Sequence, residues 1–347
     1  MASPCLLVLL LILILLLPLL LLWPRPAKVQ LKDRHVFGGS SGIGLAMALQ
    51  AASEGARISI LARSHAKLES ARDAILQATG SGVTILSVDV QDFRWSVSQV
   101  IGEISPIDVL VANHGIFLPQ ELELQDLEEI RFQVEVNLMG TFHLIKAAMP
   151  GMKQNAKNTG LQASITIMSS QAGQVLKLRN FVCSLWVFMD MGHTPRASMG
   201  LAEALRHEVV LDNINVSLIF PPNTDTPGLA EEHKRRPELT NMIAASSGCM
   251  KADEVAAKAL NGIKTGTFIV PCNFEGVMLA IATAGFSPQN SYIGAFVEVI
   301  GAGFMRFVGL CFQWNWFRII EKFYAEKNSK FDILLLNHIP SLLKCKA

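Results

Sequence analysis

From His35 to about Val270 the chain alternates short aliphatic runs with stretches of helical period, the pattern of stacked βαβ units. HVF (35–37) reads as a first strand cut off by glycines, and LAMALQAAS leads a helix to Gly55, a residue suited to a helix C-terminus. RISILA (57–62) is a second strand and KLESARDAILQA (67–78) an amphipathic helix. VTILSVDV (83–90) and IDVLVAN (107–113) follow as strands, then a long helical region from Gln125 to Met152. ASITIMSS (163–170), NINVSLIFPP (213–222) and GTFIVP (266–271) complete the strand set. Runs such as VTILSV are nearly all apolar and not strictly alternating, as expected where helices cover both faces of a parallel sheet. The predicted fold is therefore α/β, a doubly wound parallel sheet of Rossmann type.

The two ends follow a different pattern. Residues 5–23, CLLVLLLILILLLPLLLLW, hold no charge and match the length of a membrane-crossing helix. Pro18 is tolerable there and Trp23 suits an interface. A cleaved signal peptide would want a basic start and a small-residue cleavage site, whereas Pro24-Arg25-Pro26 follows here. An uncleaved transmembrane anchor is the expectation, and Arg25, Lys28, Lys32 and Arg34 beyond it place the main domain on the cytosolic face. Past Glu275, GVMLAIATAGF (276–286) and residues 293–317, interrupted by Gly301 and Gly303, are long and apolar. They read either as buried helices finishing the core or as an apolar, membrane-associated region with Trp314 and Trp316 at the interface. The expected division is an anchor at 1–28, a dinucleotide-binding domain at 32–275 and an apolar C-terminal region at 276–347.

Composition agrees with a lipid-facing surface: of 347 residues, 50% are hydrophobic and only 17% charged. A net charge of +1 gives no reason to expect nucleic acid as a partner. The six cysteines form no CxxC pair, which argues against a zinc site or a disulfide scaffold.

GGSSGIG (38–44) is the strongest local signal. Gly38, Gly42 and Gly44 give GxxxGxG spacing between a strand and a helix, with Ser40, Ser41 and Ile43 between them. Gly38 is expected to permit a tight turn, and Gly42 and Gly44 to let pyrophosphate and helix approach the sheet. The helix N-terminus then meets negative charge. Strand two ends in Leu61-Ala62-Arg63, without the acidic residue that would take ribose hydroxyls. Arg63 and Lys67 instead suit a 2′-phosphate, so NADP(H) is the expected cofactor. Asp89 and Val90 would face the adenine, and Asn113 and Gly115 would close strand four against the cofactor. His114 reads as a base or, equally, as a loop imidazole satisfied by backbone.

These residues resemble the short-chain dehydrogenase/reductase family, and within it the plant-type 3-ketodihydrosphingosine (3-dehydrosphinganine) reductases. GGSSGIG, ILARSHAKLESA, SVDVQDF, SSQAGQV and LIFPPNTDTPG are the matching stretches, over roughly residues 1 to 325. The resemblance implies NADPH-dependent reduction of a long-chain 3-keto sphingoid base at the endoplasmic reticulum membrane, with the domain in the cytosol. It implies Ser170 and Asn137 as catalytic residues and adds Pro221 and Thr224 to the cofactor-binding set. It also implies a proton-donating Tyr thirteen residues after Ser170 and a Lys four further on. Those places hold Cys183 and Val187, and the only tyrosines are Tyr292 and Tyr324. A thiol can give up a proton, but Val187 offers no charge to orient a ribose. Two functions therefore stand open: the reductase, or a catalytically impaired dinucleotide-binding or scaffold protein. The scaffold reading has the chain pair with an intact reductase through its large sheet-flanking helices, and a homo-oligomer is among the expected partners.

Overall fold

The computed structural model describes residues 29–343 apart from 89–95, 105, 121, 176–183, 245–247, 286 and 290. The segment read as an N-terminal anchor lies outside the described residues. Val29 and Leu31 are already core residues, and the Val29 N–H donates to the Lys264 carbonyl at 3.0 Å.

The strands are β1 (His35–Gly39), β2 (Arg57–Ala62), β3 (Val83–Ser87), β4 (Val109–Ala112), β5 (Ala163–Met168), β6 (Ile214–Phe220), β7 (Thr224–Asp225), β8 (Met250–Lys251) and β9 (Ile269–Pro271). Seven of them form one parallel sheet in the order β3-β2-β1-β4-β5-β6-β9. The chain reverses its direction of travel across the sheet between β1 and β4. In open α/β sheets that switch opens a crevice at the carboxyl ends of the strands. β7 and β8 make a separate two-residue parallel ladder.

The helices are α1 (Gly42–Ser53), α2 (His65–Thr79), α3 (Ser96–Ile104), α4 (Leu127–Val134), α5 (Gly140–Thr159), α6 (Gln171–Val175), α7 (Ser184–Val209), α8 (Pro227–His233), α9 (Glu238–Ala244), α10 (Ala252–Thr265), α11 (Phe274–Thr283) and α12 (Tyr292–Leu343). Neighbouring strand residues part to opposite faces. Val36 and Ile219 pack with Met47 of α1, Leu68 of α2 and Leu260 of α10, whereas Phe37 and Leu218 pack with Leu144 of α5 and Leu205 of α7. Each fully buried large aliphatic side chain contributes about 1.5–3 kcal/mol through that burial.

Several expectations need adjusting. β1 continues through Gly38 and Gly39 instead of stopping at Phe37. The single helical region expected from Gln125 is α4 and α5 joined through a π-helical turn at Glu135–Met139, and it runs on to Thr159 with Pro150 inside it. Gly301 and Gly303 do not break α12. Arg34 is not a free basic flank. Its guanidinium is buried and meets Asp108 at 3.1 Å, while the same carboxylate accepts from the His35 N–H and from Asn155 Nδ2, both at 2.8 Å.

The C-terminal helices close the crevice. Ile320 of α12 packs on Leu239 and Ile243 of α9, while Gly301 of α12 lies close to Ile281 of α11. The outward face of α12 exposes Ile293, Phe296, Ile300, Phe304, Phe307 and Trp314. By length and composition the stretch Tyr292–Lys327 could cross a membrane, and only 11% of its most apolar window is buried. The reading of this region as fully buried core helices does not hold for α12, whose outer face is exposed among the described residues.

Candidate active site

The loops after β1, β4, β5 and β6 converge on one cavity of about 680 Å³. Ser41, Gly42, Ile43, Asn113, Gly115, Asn137, Ser170, Pro221 and Thr224 line it. Gly38, Ser40, Arg63 and Lys67 are not among its lining residues. Asp89, Val90 and Cys183 lie outside the described residues. Val187 falls within α7, with its side chain outside the description.

The glycine loop shows which of its glycines are required. Gly42 has φ +54°, and a Cβ there would sit 3.0 Å from Thr226 Cγ2. A Cβ on Gly44 would lie 2.6 Å from Asn113 Nδ2 and 3.0 Å from Gly39 Cα. The first contact would displace the Asn113 amide and the second is tight against backbone, so the close passage of α1 over β1 favours a residue without a side chain at 44. Gly38 is different: it lies within β1, and a Cβ there would find nothing nearer than the Gly44 carbonyl at 4.0 Å. The tight turn expected of it is absent. The first turn of α1 has no acidic residue, and Ser41 makes no side-chain cap, so the helix end presents its N–H groups to the cavity. This cradle fits a dinucleotide pyrophosphate.

Arg63 follows β2, next to β1, and Lys67 lies in the first turn of α2; both are exposed. Neither side chain has an ion-pair partner among the described residues.

Asn137 sits in the π-helical turn, an irregularity that often marks functional positions. Its Oδ1 accepts from the Ile116 N–H and its Nδ2 donates to the Ile116 carbonyl, both at 2.8 Å. The amide therefore staples the loop after β4 to the turn, and its backbone carbonyl accepts from Thr141 Oγ1 at 2.8 Å. Ser170 starts the turn into α6. Its Oγ accepts from the Ala172 N–H at 3.2 Å, which occupies a lone pair and leaves the hydroxyl proton to donate elsewhere.

His114 is not a charged acid. Burial is the main cause that lowers its pKa to about 4, only partly offset by a hydrogen bond with the Val136 backbone. Its Nε2 also meets Thr141 Oγ1 at 3.3 Å, and Gly140 packs closely enough that a Cβ would come within 3.0 Å. The imidazole is neutral at pH 7, and the satisfied-loop reading is the one the geometry supports.

The sequence did not single out the residues that close the cavity. Thr226 caps α8 by accepting from the Leu229 N–H at 3.2 Å, and its methyl covers Gly42. The Thr-Pro pair at 226–227 is a helix-start signature that was available to find it. Glu232 and Arg236 form an ion pair in the wall. Gln171 Nε2 donates to Asn273 Oδ1 at 2.6 Å, which fastens α6 to the start of α11. Met278 and Leu279 of α11, with Met305, Val308, Phe312 and Trp316 of α12, make the far side apolar. Tyr292 and Tyr324 do not line the cavity.

Comparison with known proteins agrees with this geometry. The short chain dehydrogenase family matches residues 35–237. The chain is 51% identical over 306 residues to 3-dehydrosphinganine reductase TSC10A of Arabidopsis thaliana, covering 88% of this chain and 90% of that protein. It is 30% identical over 317 residues to 3-ketodihydrosphingosine reductase of Mus musculus, covering 88% and 91%. A solved short-chain dehydrogenase from Sphingobium yanoikuyae in complex with NADPH superimposes with a TM-score of 0.59 at 21% identity, over 70% of this chain and 88% of that one. With its parallel sheet, its glycine loop over α1 and Ser170 at the end of β5, the chain belongs to the short-chain dehydrogenase family.

Proposed function

We propose that this chain is an NADPH-dependent 3-dehydrosphinganine reductase, which converts the 3-ketone of a long-chain sphingoid base to an alcohol. The observation that carries this reading is the cavity, which runs from the hydroxyl of Ser170 at the sheet into an apolar chamber walled by α11 and α12. A polar end for the ketone and an apolar end for an alkyl chain fit that substrate class. The names of the relatives favour the reductase over a silent scaffold.

NADPH supplies the hydride when bound. The chain's own residues do the rest. The loop from Ser41 to Gly44 takes the pyrophosphate on the N–H groups of α1, Arg63 and Lys67 take the 2′-phosphate, and Asn113, Gly115, Pro221 and Thr224 line the nicotinamide side. Asp89 and Val90 are assigned to the adenine. Ser170 donates a hydrogen bond to the ketone oxygen and stabilises the negative charge that grows there. Asn137 holds the loop after β4 in place through the Ile116 backbone. With Cys183 and Val187 at the positions of the family's Tyr and Lys, proton delivery is the weak step, and turnover is expected to be slow.

The outer face of α12 lies in lipid. Its inner face is committed to α9 and α11 along Gly301, Met305 and Ile320, so we assign α12 to the membrane interface rather than to a full crossing. Substrate then enters the apolar end of the cavity from the bilayer of the endoplasmic reticulum, with the reductase domain in the cytosol.

The test is NADPH oxidation by the purified full chain with 3-ketodihydrosphingosine, compared with a Cys183→Tyr, Val187→Lys variant. Restoring the pair should raise the rate roughly 100- to 10,000-fold, with NADPH preferred over NADH. Failure of both chains to form dihydrosphingosine would refute the substrate, and an NADH preference would refute the roles of Arg63 and Lys67.

A further inference from the structure

The cavity wall contains a charge arrangement that ketone reduction does not need. Glu232, on α8, and Arg236 are both buried, with side chains only 10% and 2% exposed. Arg236 Nε donates to Glu232 Oε1 at 3.1 Å, and its Nη2 donates to that same oxygen. An arginine facing a carboxylate commonly engages both oxygens. Here the two donors converge on one, and Oε2 has no hydrogen bond from any described residue. Oε2 is not fully buried, and Glu232 lines the cavity, so this oxygen is open to a donor from a ligand there.

The pair itself is neutral. Among the described lining residues the carboxylates are Glu232 and Glu275, the only guanidinium is that of Arg236, and His114 is neutral at pH 7. With Arg236 offsetting Glu232, the uncompensated carboxylate among these residues is Glu275. Glu275 is exposed in the first turn of α11, where a carboxylate is accounted for by the helix N-terminus. Glu232 is the buried one.

We infer that Glu232 is a specificity-determining residue that accepts a hydrogen bond at Oε2 from the ammonium group of the substrate, with Arg236 as the positioning residue that orients the carboxylate through Oε1. This rests on the sphingoid-base reading, because such a base has an amine on the carbon beside the ketone. The pair then distinguishes amino ketones from plain long-chain ketones, which the apolar chamber alone would accept equally. A merely structural pair, tying α8 to the turn before α9, would also be buried but would leave amine recognition unchanged.

The test is a binding titration of the full chain in detergent near neutral pH, followed by tryptophan fluorescence because Trp316 lines the cavity. It uses short-chain analogues of 3-ketodihydrosphingosine with the amine and with hydrogen in its place. The unaltered chain should prefer the amine by roughly 10- to 100-fold, the range of a hydrogen bond to a charged group. Glu232→Gln, which keeps an acceptor for Arg236 and removes the charge, should bind both analogues alike, while Glu275→Gln should keep the preference. Equal binding of the two analogues by the unaltered chain would overturn the inference even if Glu232→Gln fails to fold. A preference lost in Glu275→Gln and kept in Glu232→Gln would overturn it too. If neither analogue binds the unaltered chain, the sphingoid-base reading itself falls, and this inference with it.

Discussion

At the scale of single residues, packing decided what several polar groups are able to do. His114 is the clearest case. Its position after β4 is legible in the sequence, but its charge state is set by burial against Val136, Gly140 and Thr141. A folded pKa of about 4 against an ordinary 6.5 means the unfolded chain binds more protons between those values. Stability from this group is therefore complete above pH 6.5 and is lost as pH falls toward 4, by at most about 1.4 kcal/mol per pH unit. His35 adds in the same direction, its pKa lowered first by burial. Thermal unfolding followed between pH 7 and pH 4 should show this decline, and His114→Asn should flatten it. A variant that loses stability as steeply as the parent would exclude His114 as the source. Asn137 makes a related point: the motif is readable, whereas the stapling of its amide to Ile116 is not.

At the scale of elements, most strands were visible because a parallel sheet covered on both faces needs largely apolar runs, and β2, β5 and β6 are mostly aliphatic with small polar residues between. The interruptions were harder to see. The π-helical turn at Glu135–Met139 leaves no mark in an apolar pattern, and β7 and β8 are held by the ladder between residues far apart in sequence. α12 passes through Gly301 and Gly303 because packing on α9 and α11 outweighs the roughly 1 kcal/mol that each glycine costs a helix. The junction of β1 and α1 supplies a test. Gly44→Ala should abolish NADPH binding, since its Cβ would need the space of Asn113 Nδ2 and Gly39 Cα. Gly38→Ala should bind NADPH within a few-fold of the parent, about 1 kcal/mol at most. Fluorescence titration of both variants checks this, and equal losses would mean that the loop, not close packing at residue 44, is what matters.

At the scale of the whole molecule, a reductase-like domain is joined to an apolar helix whose outer face no described residue covers. A chain lacking residues 1–28 should still sediment with membranes after alkaline carbonate washing, because α12 alone presents enough apolar surface. Phe304→Glu together with Phe307→Glu should release that shortened chain. Solubility of the shortened chain before those changes would assign membrane attachment to the N-terminal segment instead.

Periodicity by itself determined the parallel α/β architecture, since aliphatic runs and amphipathic helices reflect local burial that each segment encodes alone. Residue identity determined the dinucleotide loop and the Ser170 turn, because positive φ, close approach and a hydroxyl at a strand end demand particular side chains. The absence of Tyr and Lys at 183 and 187 is likewise a fact of sequence. Tertiary structure alone decided that Glu232 and Arg236 meet at the cavity wall, that His114 is neutral, and that α12 roofs the chamber with one face while its other face is exposed. Those properties depend on desolvation and on which distant surfaces come together, and no window of neighbouring residues contains that information.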